Sequence, residues 1–295
     1  MLSDPASSMH PTHVLVLGAG GMLGHAVLRY FAGSPGFSVA GSIRSPGVLN
    51  HLPRELHEHV VSSVDVENLD ALVHLLARAH PSVVINCVGL VKQLTEANEP
   101  LRAIPINALL PHRLARLCDL AGARLIHVST DCVFAGTKGG YTEDDESDAE
   151  DLYGRSKFLG EVDYPHAVTL RTSIIGHELN SAHGLIAWFL AQSGEVKGYT
   201  RAVFSGLPTV ELARVMRDYV IPRPELHGTF HVSSEPINKH DLLQLVAKEY
   251  GRSIVIKASD DLVIDRSLDS SRFRRLTGYI PPSWPDLIAA MRRFG

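Results

Sequence analysis

Residues 13–24 read HVLVLGAGGMLG, an apolar β-like run that leads into glycines and then into a helical pattern. Gly18, Gly21 and Gly24 follow a G-x-x-G-x-x-G spacing, because Leu23 occupies the place where G-x-G-x-x-G, counted from Gly18, needs its last glycine. Between a strand and a helix, glycines permit a tight turn and let a pyrophosphate reach the amides of the helix N-terminus. The stretch predicts a dinucleotide-binding turn, with a tight turn that binds nothing as the alternative.

Outward from this turn, short apolar runs alternate with helical periodicity as far as residue 170. The runs predict strands at 13–17, 37–41, 59–62, 82–87, 124–128 and 167–170. The periodic segments predict helices at 22–32, 68–79 and 107–121, the last with Leu110, Leu114, Leu117 and Leu120 on one side. Runs without alternation are typical of parallel strands that helices cover on both faces. We therefore predict an α/β fold with a doubly wound parallel sheet.

Beyond Arg171 the alternation is less regular, which predicts a smaller second α/β unit. Helical patterns occupy 184–193, 208–219, 239–250 and 284–293, and strand patterns occupy 229–232 and 254–257. One segment, 143–151, carries seven acidic residues in nine positions. Such a charge run is typical of a solvated surface loop, and we prefer that interpretation to a metal or partner site.

The composition excludes several classes of protein. The 295 residues include 28 Lys plus Arg and 32 Asp plus Glu, a formal net charge of −4, whereas nucleic-acid and membrane-surface binders need a basic footprint. No apolar stretch reaches the length of about 18 residues that predicts a membrane-spanning helix. Three cysteines without C-x-x-C spacing and 16 histidines without H-E-x-x-H predict no metal site and a reducing, cytoplasmic location. Residues 1–11 lack the features of a signal peptide and are predicted to be a loose tail.

The end of the predicted second strand bears on the choice of cofactor. NAD-binding proteins often place an acid there for the ribose hydroxyls, but this sequence has Ser42-Ile43-Arg44. The planar guanidinium of Arg44 matches a 2′-phosphate, which favours NADP(H) over NAD(H). An ordinary exposed arginine is the alternative.

Tyr153 and Lys157 stand four residues apart, a spacing that places them on one face of a helix. A free tyrosine has a pKa of about 10, and a neighbouring ammonium lowers it. The pair follows a strand that ends in Ser129 and Thr130, whose hydroxyls could reach the same carbonyl oxygen as Tyr153. We predict a proton-donating site here, with two solvent-facing helix residues as the alternative.

These motifs resemble the extended short-chain dehydrogenase/reductase superfamily and, within it, the dTDP-4-dehydrorhamnose reductases and related 4-keto nucleotide-sugar reductases. The resemblance covers about residues 13–293. Its most specific marks are the glycine series, STDCVFAG at 129–136, the Tyr153/Lys157 pair, LRTS at 170–173 and LDSSRF at 268–273. It implies a Rossmann domain at 12–175, which 208–232 rejoins, and a substrate-binding domain at 176–207 and 233–295, with the reaction in the cleft between them.

The resemblance also implies the catalytic residues. Thr130 would hydrogen-bond the substrate carbonyl, and Tyr153 would donate the proton. Lys157 would hold the nicotinamide ribose and tune Tyr153. Asn107 would maintain a proton-relay water, with a helix cap near Pro105 as the alternative.

The same resemblance assigns the cofactor to a set of residues spread over the first half of the chain. Asp65 and Val66 resemble the pair beside the adenine, with an N-cap as the alternative for Asp65. The full cofactor set is Gly18, Gly21, Met22, Leu23, Gly24, Arg44, Asp65, Val66, Asn86, Cys87, Val88, Ser129, Tyr153 and Lys157. The expected partner is a nucleotide sugar, with no nucleic acid, membrane or metal, and the superfamily allows a homodimer.

Two departures from the reductase pattern concern the sugar. Cys132 stands where these reductases often have a tyrosine, and Ile174 where they often have an aromatic residue. Smaller side chains there could admit a 2-acetamido-6-deoxy sugar on UDP. The predicted substrate-binding residues are Lys92, Asp131, Cys132, Ile174, Trp188, Arg201 and Arg266, with Gln93 and Phe204 as further candidates. The alternatives are a core position for Trp188 and surface positions for the two arginines.

The predicted reaction is the NADPH-dependent reduction of the C4 ketone of a 4-keto-6-deoxy nucleotide sugar, in deoxysugar or surface-polysaccharide biosynthesis. A 4-epimerase is one alternative, although epimerases usually retain NAD and Arg44 favours NADP(H). Dehydratases of the superfamily use an Asp-Glu pair after the threonine, and Cys132 replaces that glutamate here. A non-catalytic, NADP-binding regulatory subunit, like that of methionine adenosyltransferase, is the third alternative; the Tyr153/Lys157 pair argues against it.

Overall fold

The computed structural model of the chain describes residues 11–92 and 95–295; residues 1–10 of the predicted tail and Gln93 lie outside these ranges. The strands are β1 (Thr12–Leu17), β2 (Phe37–Ser42), β3 (Val60–Val61), β4 (Val83–Asn86), β5 (Arg124–Thr130), β6 (Ala167–Thr172), β7 (Ile174–Ile175), β8 (Glu195–Tyr199), β9 (Ala202–Phe204), β10 (Leu207–Pro208), β11 (Gly228–His231), β12 (Ile237–Asn238), β13 (Val255–Ser259) and β14 (Ile264–Asp265). The helices are α1 (Met22–Ala32), α2 (Leu69–Ala79), α3 (Pro100–Ala103), α4 (Leu110–Leu120), α5 (Leu152–Leu159), α6 (Leu185–Leu190), α7 (Thr209–Val215), α8 (Lys239–Glu249), α9 (Ser271–Thr277) and α10 (Trp284–Phe294).

Seven parallel strands form the central sheet in the order β3-β2-β1-β4-β5-β6-β11. All four residues of β4 and all six of β6 are buried, as the uninterrupted apolar runs predict. The strand order reverses between β1 and β4, and ligands of such sheets bind at the carboxyl ends of the strands at this point. The doubly wound α/β fold predicted from the sequence is confirmed.

Two apolar clusters cover the two faces of this sheet. Along β1, Val14 and Val16 belong to the cluster that includes α1, while Leu15 and Leu17 belong to the cluster that includes α2 and α4. Successive side chains of a strand point to opposite faces, so an apolar strand joins both clusters at once. The core thereby fixes the place where the glycines after β1 must turn.

The helix predicted to begin at Asn107 begins earlier in the structure. The chain runs from α3 through a π-helical segment, Ile104–Leu109, into α4. Prolines at 105 and 111 cannot donate the backbone hydrogen bonds of a regular α-helix, which favours the wider turn. The prediction for Leu120 is wrong, because Leu120 is 86% exposed and Cys118 takes the buried position of that turn.

The part of the chain after β6 is built from small strand groups: β7 with β10, β9 between β12 and β14, and β8 with β13. The helix predicted at 184–193 is confined to α6, because Gly194 adopts a left-handed φ of 76° and β8 follows at once. β11 lies beside β6 in the large sheet. Within the described ranges, no helix combines the length and apolar character needed to cross a membrane.

Candidate active site

The glycine turn joins β1 to α1, and its three glycines meet different surroundings. Gly18 has a φ of 80°, and a Cβ there would lie 3.0 Å from Val88 Cγ2. A Cβ on Gly24 would lie 2.0 Å from the Gly18 carbonyl oxygen, so only glycine lets α1 pack this closely on the turn. A Cβ on Gly21 would meet only ordinary contact, at 3.6 Å. Packing within the protein thus requires Gly18 and Gly24, whereas Gly21 is the exposed N-cap of α1 and has room for a side chain.

A cavity of about 390 Å³ lies beside this turn. It brings together five of the predicted cofactor residues, namely Gly18, Arg44, Asp65, Val66 and Val88. An open volume bordered by the first glycine of the turn and by an arginine is suited to the adenosine half of a dinucleotide phosphate. The residues present therefore fit the cofactor that the family implies.

The same cavity includes four polar residues that the sequence interpretation did not assign to the cofactor, namely Ser42, Glu67, Glu96 and Arg102. Ser42 is buried at the end of β2 and belongs to the Ser-Ile-Arg stretch. Ser42 could therefore have been assigned to the cofactor by the same argument as Arg44. Arg102 lies in α3, ahead of the predicted start of the helix. Arg102 was missed because the predicted helix began at residue 107, whereas α3 begins at Pro100.

Two predicted cofactor residues fix the backbone around the cavity. Asp65 Oδ1 accepts from the Glu67 amide at 3.0 Å. It is not the cap of α2, because Asn68 fills that place by accepting from the Ala71 amide at 3.2 Å. The N-cap alternative for Asp65 is therefore wrong.

Asn86 fixes the backbone at the end of β4. Its Oδ1 accepts from the Val88 amide at 3.1 Å, and its amide nitrogen donates to His127 Nδ1 at 3.1 Å. The Cys87 amide donates to the Leu17 carbonyl at 3.1 Å. These bonds hold residues 86–88 against the glycine turn.

Thr130 ends β5 and caps a short turn, because its Oγ1 accepts from the Cys132 amide at 3.1 Å. Its hydroxyl donates to Asp131 Oδ1 at 3.2 Å. Burial raises the pKa of Asp131, while the positive charges of Arg266 and Lys239 act in the opposite direction. A hydroxyl, a carboxyl group and two cations therefore gather at the carboxyl end of β5.

Tyr153 and Lys157 lie on α5, which begins where Asp151 Oδ1 accepts from the Gly154 amide at 2.8 Å. The alternative of two solvent-facing residues is wrong, because Lys157 is 5% exposed and Tyr153 is half-buried. Burial raises the pKa of Tyr153 above its usual range, and a hydrogen bond with Thr130 lowers it in part. The hydroxyls of Tyr153 and Thr130 thus meet at the end of β5.

Lys157 does not produce the predicted lowering of the Tyr153 pKa. Its ammonium donates to the Val128 carbonyl at 2.8 Å, and burial is the largest influence on the tyrosine. Burial also lowers the pKa of Lys157 to about 8. At neutral pH the site therefore holds a protonated tyrosine beside a lysine that changes charge in the mildly alkaline range.

Asn107 lies inside the π-helical segment and is 1% exposed. Its Oδ1 accepts from the Leu90 amide at 2.9 Å, and its Nδ2 donates to Ser156 Oγ at 3.3 Å. The helix-cap alternative is wrong, because these bonds run to another loop and to α5. A Cβ on Gly89 would lie 3.5 Å from Asn107 Oδ1 and 3.9 Å from Lys157 Nζ. Both polar groups therefore lie beside the segment that follows β4.

The hydroxyl of Ser129 points into a buried polar network. It donates to Glu161 Oε1 at 2.7 Å, and Arg171 Nη2 donates to Glu161 Oε2 at 2.6 Å. Arg171 Nη1 donates to His231 Nε2 at 2.9 Å, and burial lowers the pKa of His231 to about 3. The predicted contact of Ser129 with the cofactor thus competes with a bond inside the protein. Glu161 and His231 were missed because no motif spacing links them to Arg171.

The predicted substrate residues occupy different surroundings. Lys92 donates to Asp151 Oδ2 at 2.6 Å, beside the start of α5. Arg266 is half-buried and donates to the Phe134 carbonyl at 2.8 Å, so its surface alternative is wrong. Trp188 on α6 is 40% exposed, which contradicts the core alternative. Arg201 is exposed between β8 and β9.

The acidic segment 143–151 is more than a solvated loop, and that prediction is wrong for several of its members. Glu143 accepts from the His231 amide at 2.9 Å, and Asp148 accepts from the Ala135 amide at 2.7 Å. Together with the Asp151 cap of α5, these carboxylates fix the backbone that leads to Tyr153. A charge run can thus organise a loop when backbone amides face it.

The three thiols are reduced, and burial raises the pKa of Cys87, Cys118 and Cys132 each to about 12. Cys132 beside Thr130 is accordingly a neutral packing residue. Among residues 11–92 and 95–295, no group of three His, Cys, Asp or Glu side chains is placed to hold a metal ion.

Comparison with known proteins extends this picture. The profile of the RmlD substrate-binding domain family matches residues 12–284. The chain is 29% identical over 300 residues to the "Probable low-salt glycan biosynthesis reductase Agl14" of Haloferax volcanii, covering 95% of this chain and 97% of that protein. It is 27% identical over 313 residues to methionine adenosyltransferase 2 subunit beta of Mus musculus, covering 93% and 88%.

Solved structures share the fold. The dTDP-4-dehydrorhamnose reductase of Bacillus anthracis in complex with NADP superposes with a TM-score of 0.74 at 18% identity, covering 95% of this chain and 98% of that one. The Bordetella bronchiseptica enzyme WbmG in complex with NAD and UDP superposes with a TM-score of 0.73 at 18% identity, covering 96% and 94%. Because the family profile spans nearly the whole length, the chain belongs to the RmlD substrate-binding domain family and is an NAD(P)H-dependent oxidoreductase of the short-chain dehydrogenase/reductase superfamily.

Proposed function

We propose that the protein reduces the C4 ketone of a 4-keto-6-deoxy hexose carried on a nucleoside diphosphate and that it uses NADPH. The convergence of Thr130, Tyr153 and Lys157 at the carboxyl end of β5 carries this proposal. The names of the relatives support it, since a glycan biosynthesis reductase and a dTDP-4-dehydrorhamnose reductase share the fold over nearly their whole lengths.

The preference for NADPH rests on the cavity beside the glycine turn. Arg44 and Ser42 line it at the end of β2, where a cation and a hydroxyl can bind a 2′-phosphate. Asp65 and Val66 border the same space on the side assigned to the adenine. The NADP complex of the Bacillus anthracis reductase supports this choice, whereas WbmG was solved with NAD.

When bound, the dinucleotide supplies the hydride, and the protein supplies charge stabilisation and a proton. Negative charge that develops on the ketone oxygen is met by hydrogen bonds from Thr130 and Tyr153. Because the pKa of Tyr153 is raised, its hydroxyl is protonated at neutral pH and can give up its proton to that oxygen. Lys157, whose ammonium donates to the Val128 carbonyl, is the residue that would hold the nicotinamide ribose, and Asn107 fixes the segment after β4 by accepting from the Leu90 amide.

The sugar and the nucleotide form the finer part of the proposal. Cys132 and Ile174 are smaller than the aromatic residues common at these positions in the resembled reductases, so a 2-acetamido-2,6-dideoxy-4-keto hexose on UDP is the extended substrate class. The UDP bound to WbmG supports a uridine nucleotide. The name of the Haloferax volcanii relative supports a role in glycan biosynthesis.

The test is the oxidation of NADPH, followed by absorbance, with a panel of dTDP- and UDP-linked 4-keto-6-deoxy sugars and with NADH in parallel. Turnover of one sugar is expected, together with a lower KM for NADPH than for NADH. Tyr153→Phe should lower kcat roughly 100-fold or more, because it removes the acid, while NADPH binding measured by fluorescence is retained. Arg44→Ala should raise the KM for NADPH and leave that for NADH unchanged. Unchanged turnover in Tyr153→Phe would remove the proposal.

A second candidate is a non-catalytic regulatory subunit, which the similarity to methionine adenosyltransferase 2 subunit beta favours. This candidate predicts NADPH binding without turnover of any keto sugar. It also predicts that Tyr153→Phe changes no measurable property of the protein apart from cofactor affinity. The same panel therefore separates the two functions.

A further inference from the structure

His127 is a buried polar side chain in the middle of β5 that the proposed reaction does not use. The side chain is fully buried, yet its Nε2 atom has no hydrogen-bond partner in the part of the chain that the structure describes. A buried donor without a partner lowers stability and calls for an explanation. The explanation lies at the other ring nitrogen, Nδ1, which is 3.1 Å from Asn86 Nδ2.

The contact at Nδ1 determines which nitrogen of His127 carries the proton. Asn86 Oδ1 accepts from the Val88 amide at 3.1 Å, so the amide nitrogen of Asn86 faces the imidazole ring. That nitrogen is a donor, and Nδ1 must therefore be the acceptor. The proton is left on Nε2, where no described residue accepts it. Burial, followed by the nearby charge of Lys157, holds the pKa of His127 well below its usual range, so the ring stays neutral.

Asn86 connects His127 to the wall of the cavity beside the glycine turn. Residues 88–90 line that cavity. The first of them packs on the turn, because a Cβ on Gly18 would lie 3.2 Å from the Val88 nitrogen. Without an acceptor at the position of Nδ1, the buried amide nitrogen of Asn86 would lose the partner that fixes its orientation. The bond to the Val88 amide would then no longer be secured, and the cavity wall could shift.

We propose that His127 is a positioning residue for the dinucleotide. As a neutral acceptor it fixes the side chain of Asn86, which holds the Val88 amide and keeps the wall at 88–90 against the glycine turn. The described lining of the cavity does not include His127, so its effect passes through Asn86. This inference rests on the proposed use of NADPH and does not depend on which sugar is reduced.

The experiment compares two substitutions of nearly equal size. In His127→Asn, the asparagine Oδ1 takes a position close to that of histidine Nδ1 and keeps an acceptor, whereas His127→Leu has none. Both variants remove the ring, so their difference isolates the acceptor. Thr169→Val is the matched control, because Thr169 lies beside His127 in the register of β5 and β6. Its hydroxyl bonds the Val162 amide and carbonyl, each at 3.0 Å, and these groups do not line the cavity.

The affinity for NADPH is measured by fluorescence titration and the stability by thermal unfolding. His127→Leu should raise the Kd roughly 10-fold, the effect of one hydrogen bond, and His127→Asn should restore it to within about 3-fold of wild type. Asparagine buries donors that leucine lacks, so His127→Asn should melt no higher than His127→Leu. Thr169→Val should melt lower than wild type and keep its Kd. If the Kd instead follows the melting temperature across these variants, the role is merely structural and the proposal is overturned.

A second measurement uses wild type and needs no variant that folds. Imidazole nitrogen shifts in isotope-labelled protein report which ring nitrogen carries the proton, and a neutral ring protonated at Nε2 is expected for His127. His231 is the internal reference for the opposite tautomer, because its Nε2 accepts from Arg171 and its Nδ1 donates to the Tyr141 carbonyl. A His127 ring that is charged, or protonated at Nδ1, at neutral pH would overturn the proposal, since neither form can accept from Asn86.

The titration needs no sugar, so it separates this inference from the proposed function. If no keto sugar is reduced while His127→Leu weakens NADPH binding and His127→Asn restores it, the proposed reaction fails and the positioning role stands. If a keto sugar is reduced while both variants bind NADPH as tightly as wild type, the proposed reaction stands and the positioning role fails.

Discussion

Residues 12–175 and residues 176–295 are held together in different ways. The first region has long parallel strands, and apolar side chains on both faces of the sheet join helices to it. In the second region, β11 extends the large sheet, and the other strands form groups of two or three, some only two residues long. Ser205 Oγ accepts from the Leu268 amide just beyond two of those short strands, and Arg266 donates to the Phe134 carbonyl of the first region. The helices of the second region share one apolar cluster with the sheet, whereas its short strands depend more on individual polar contacts.

The difference shows why function concentrates at the boundary. Rigid strand ends from the first region bring Thr130, Tyr153 and Lys157 to fixed positions. The second region adds Arg266, which follows the two-residue strand β14 and donates to the Phe134 carbonyl in the turn after β5. A reaction class is therefore set by the first region, and substrate preference can change in the second. Four predictions test this contrast, in order of decreasing effect.

The largest effect is expected where a buried polar cluster joins the sheet to the second region. Arg171→Met leaves Glu161, whose side chain is 7% exposed, as an unpaired buried charge. The free energy of unfolding in urea should fall by about 3–5 kcal/mol. Arg113→Met, on the exposed side of α4, is the control and should be near neutral. The double variant with Glu161→Gln should recover part of the loss. Equal stability of the single and double variants would show that the ion pair is unimportant.

The second prediction concerns the charge of Lys157. Its pKa is about 8 in the folded protein against 10.5 for an unperturbed lysine. Between these pH values the unfolded chain binds more protons, so the unfolding free energy of wild type relative to Lys157→Met should rise with pH, by about 3 kcal/mol in total. Below pH 8 the buried charge destabilises the fold, and above pH 10.5 the effect is complete. If the free energies of unfolding of wild type and Lys157→Met changed equally with pH, the burial of this charge would be contradicted.

The third prediction separates packing from ligand binding within the glycine turn. Gly24→Ala places a Cβ 2.0 Å from the Gly18 carbonyl oxygen, a backbone atom that cannot move aside freely. It should cost about 1–3 kcal/mol, measured by thermal unfolding, and weaken NADPH binding. Gly21→Ala is the matched variant: it should keep the melting temperature and still weaken NADPH binding, because its Cβ would face the ligand. Equal melting temperatures of the two variants would show that packing does not distinguish Gly24 from Gly21.

The smallest effect is expected at the cap of α2, where apolar periodicity should supply most of the stability. Asn68→Ala removes the acceptor for the Ala71 amide and should cost about 1 kcal/mol. Asn68→Asp retains an acceptor and should resemble wild type. A loss as large as that of Arg171→Met would mean that the first region also depends on individual polar contacts.

The fold could be predicted because β1 and β4 contain continuous apolar runs and the glycine turn marks where β1 ends. β8, β9 and α9 could not be predicted, since each is short and its partners lie far away in the chain. In the site, Tyr153 and Lys157 were accessible through their spacing on one helix. Glu161 was not, because tertiary packing alone brings it to β5.

The three buried thiols have a practical consequence. With each pKa near 12, the reactive thiolate is about 10⁻⁵ of the thiol at neutral pH. Alkylating reagents and maleimide dyes will therefore react slowly with Cys87, Cys118 and Cys132. A cysteine introduced on an exposed position of α8 would be labelled selectively without removing the native ones. Fluorescence from that label would then report on the surroundings of α8 in an otherwise native chain.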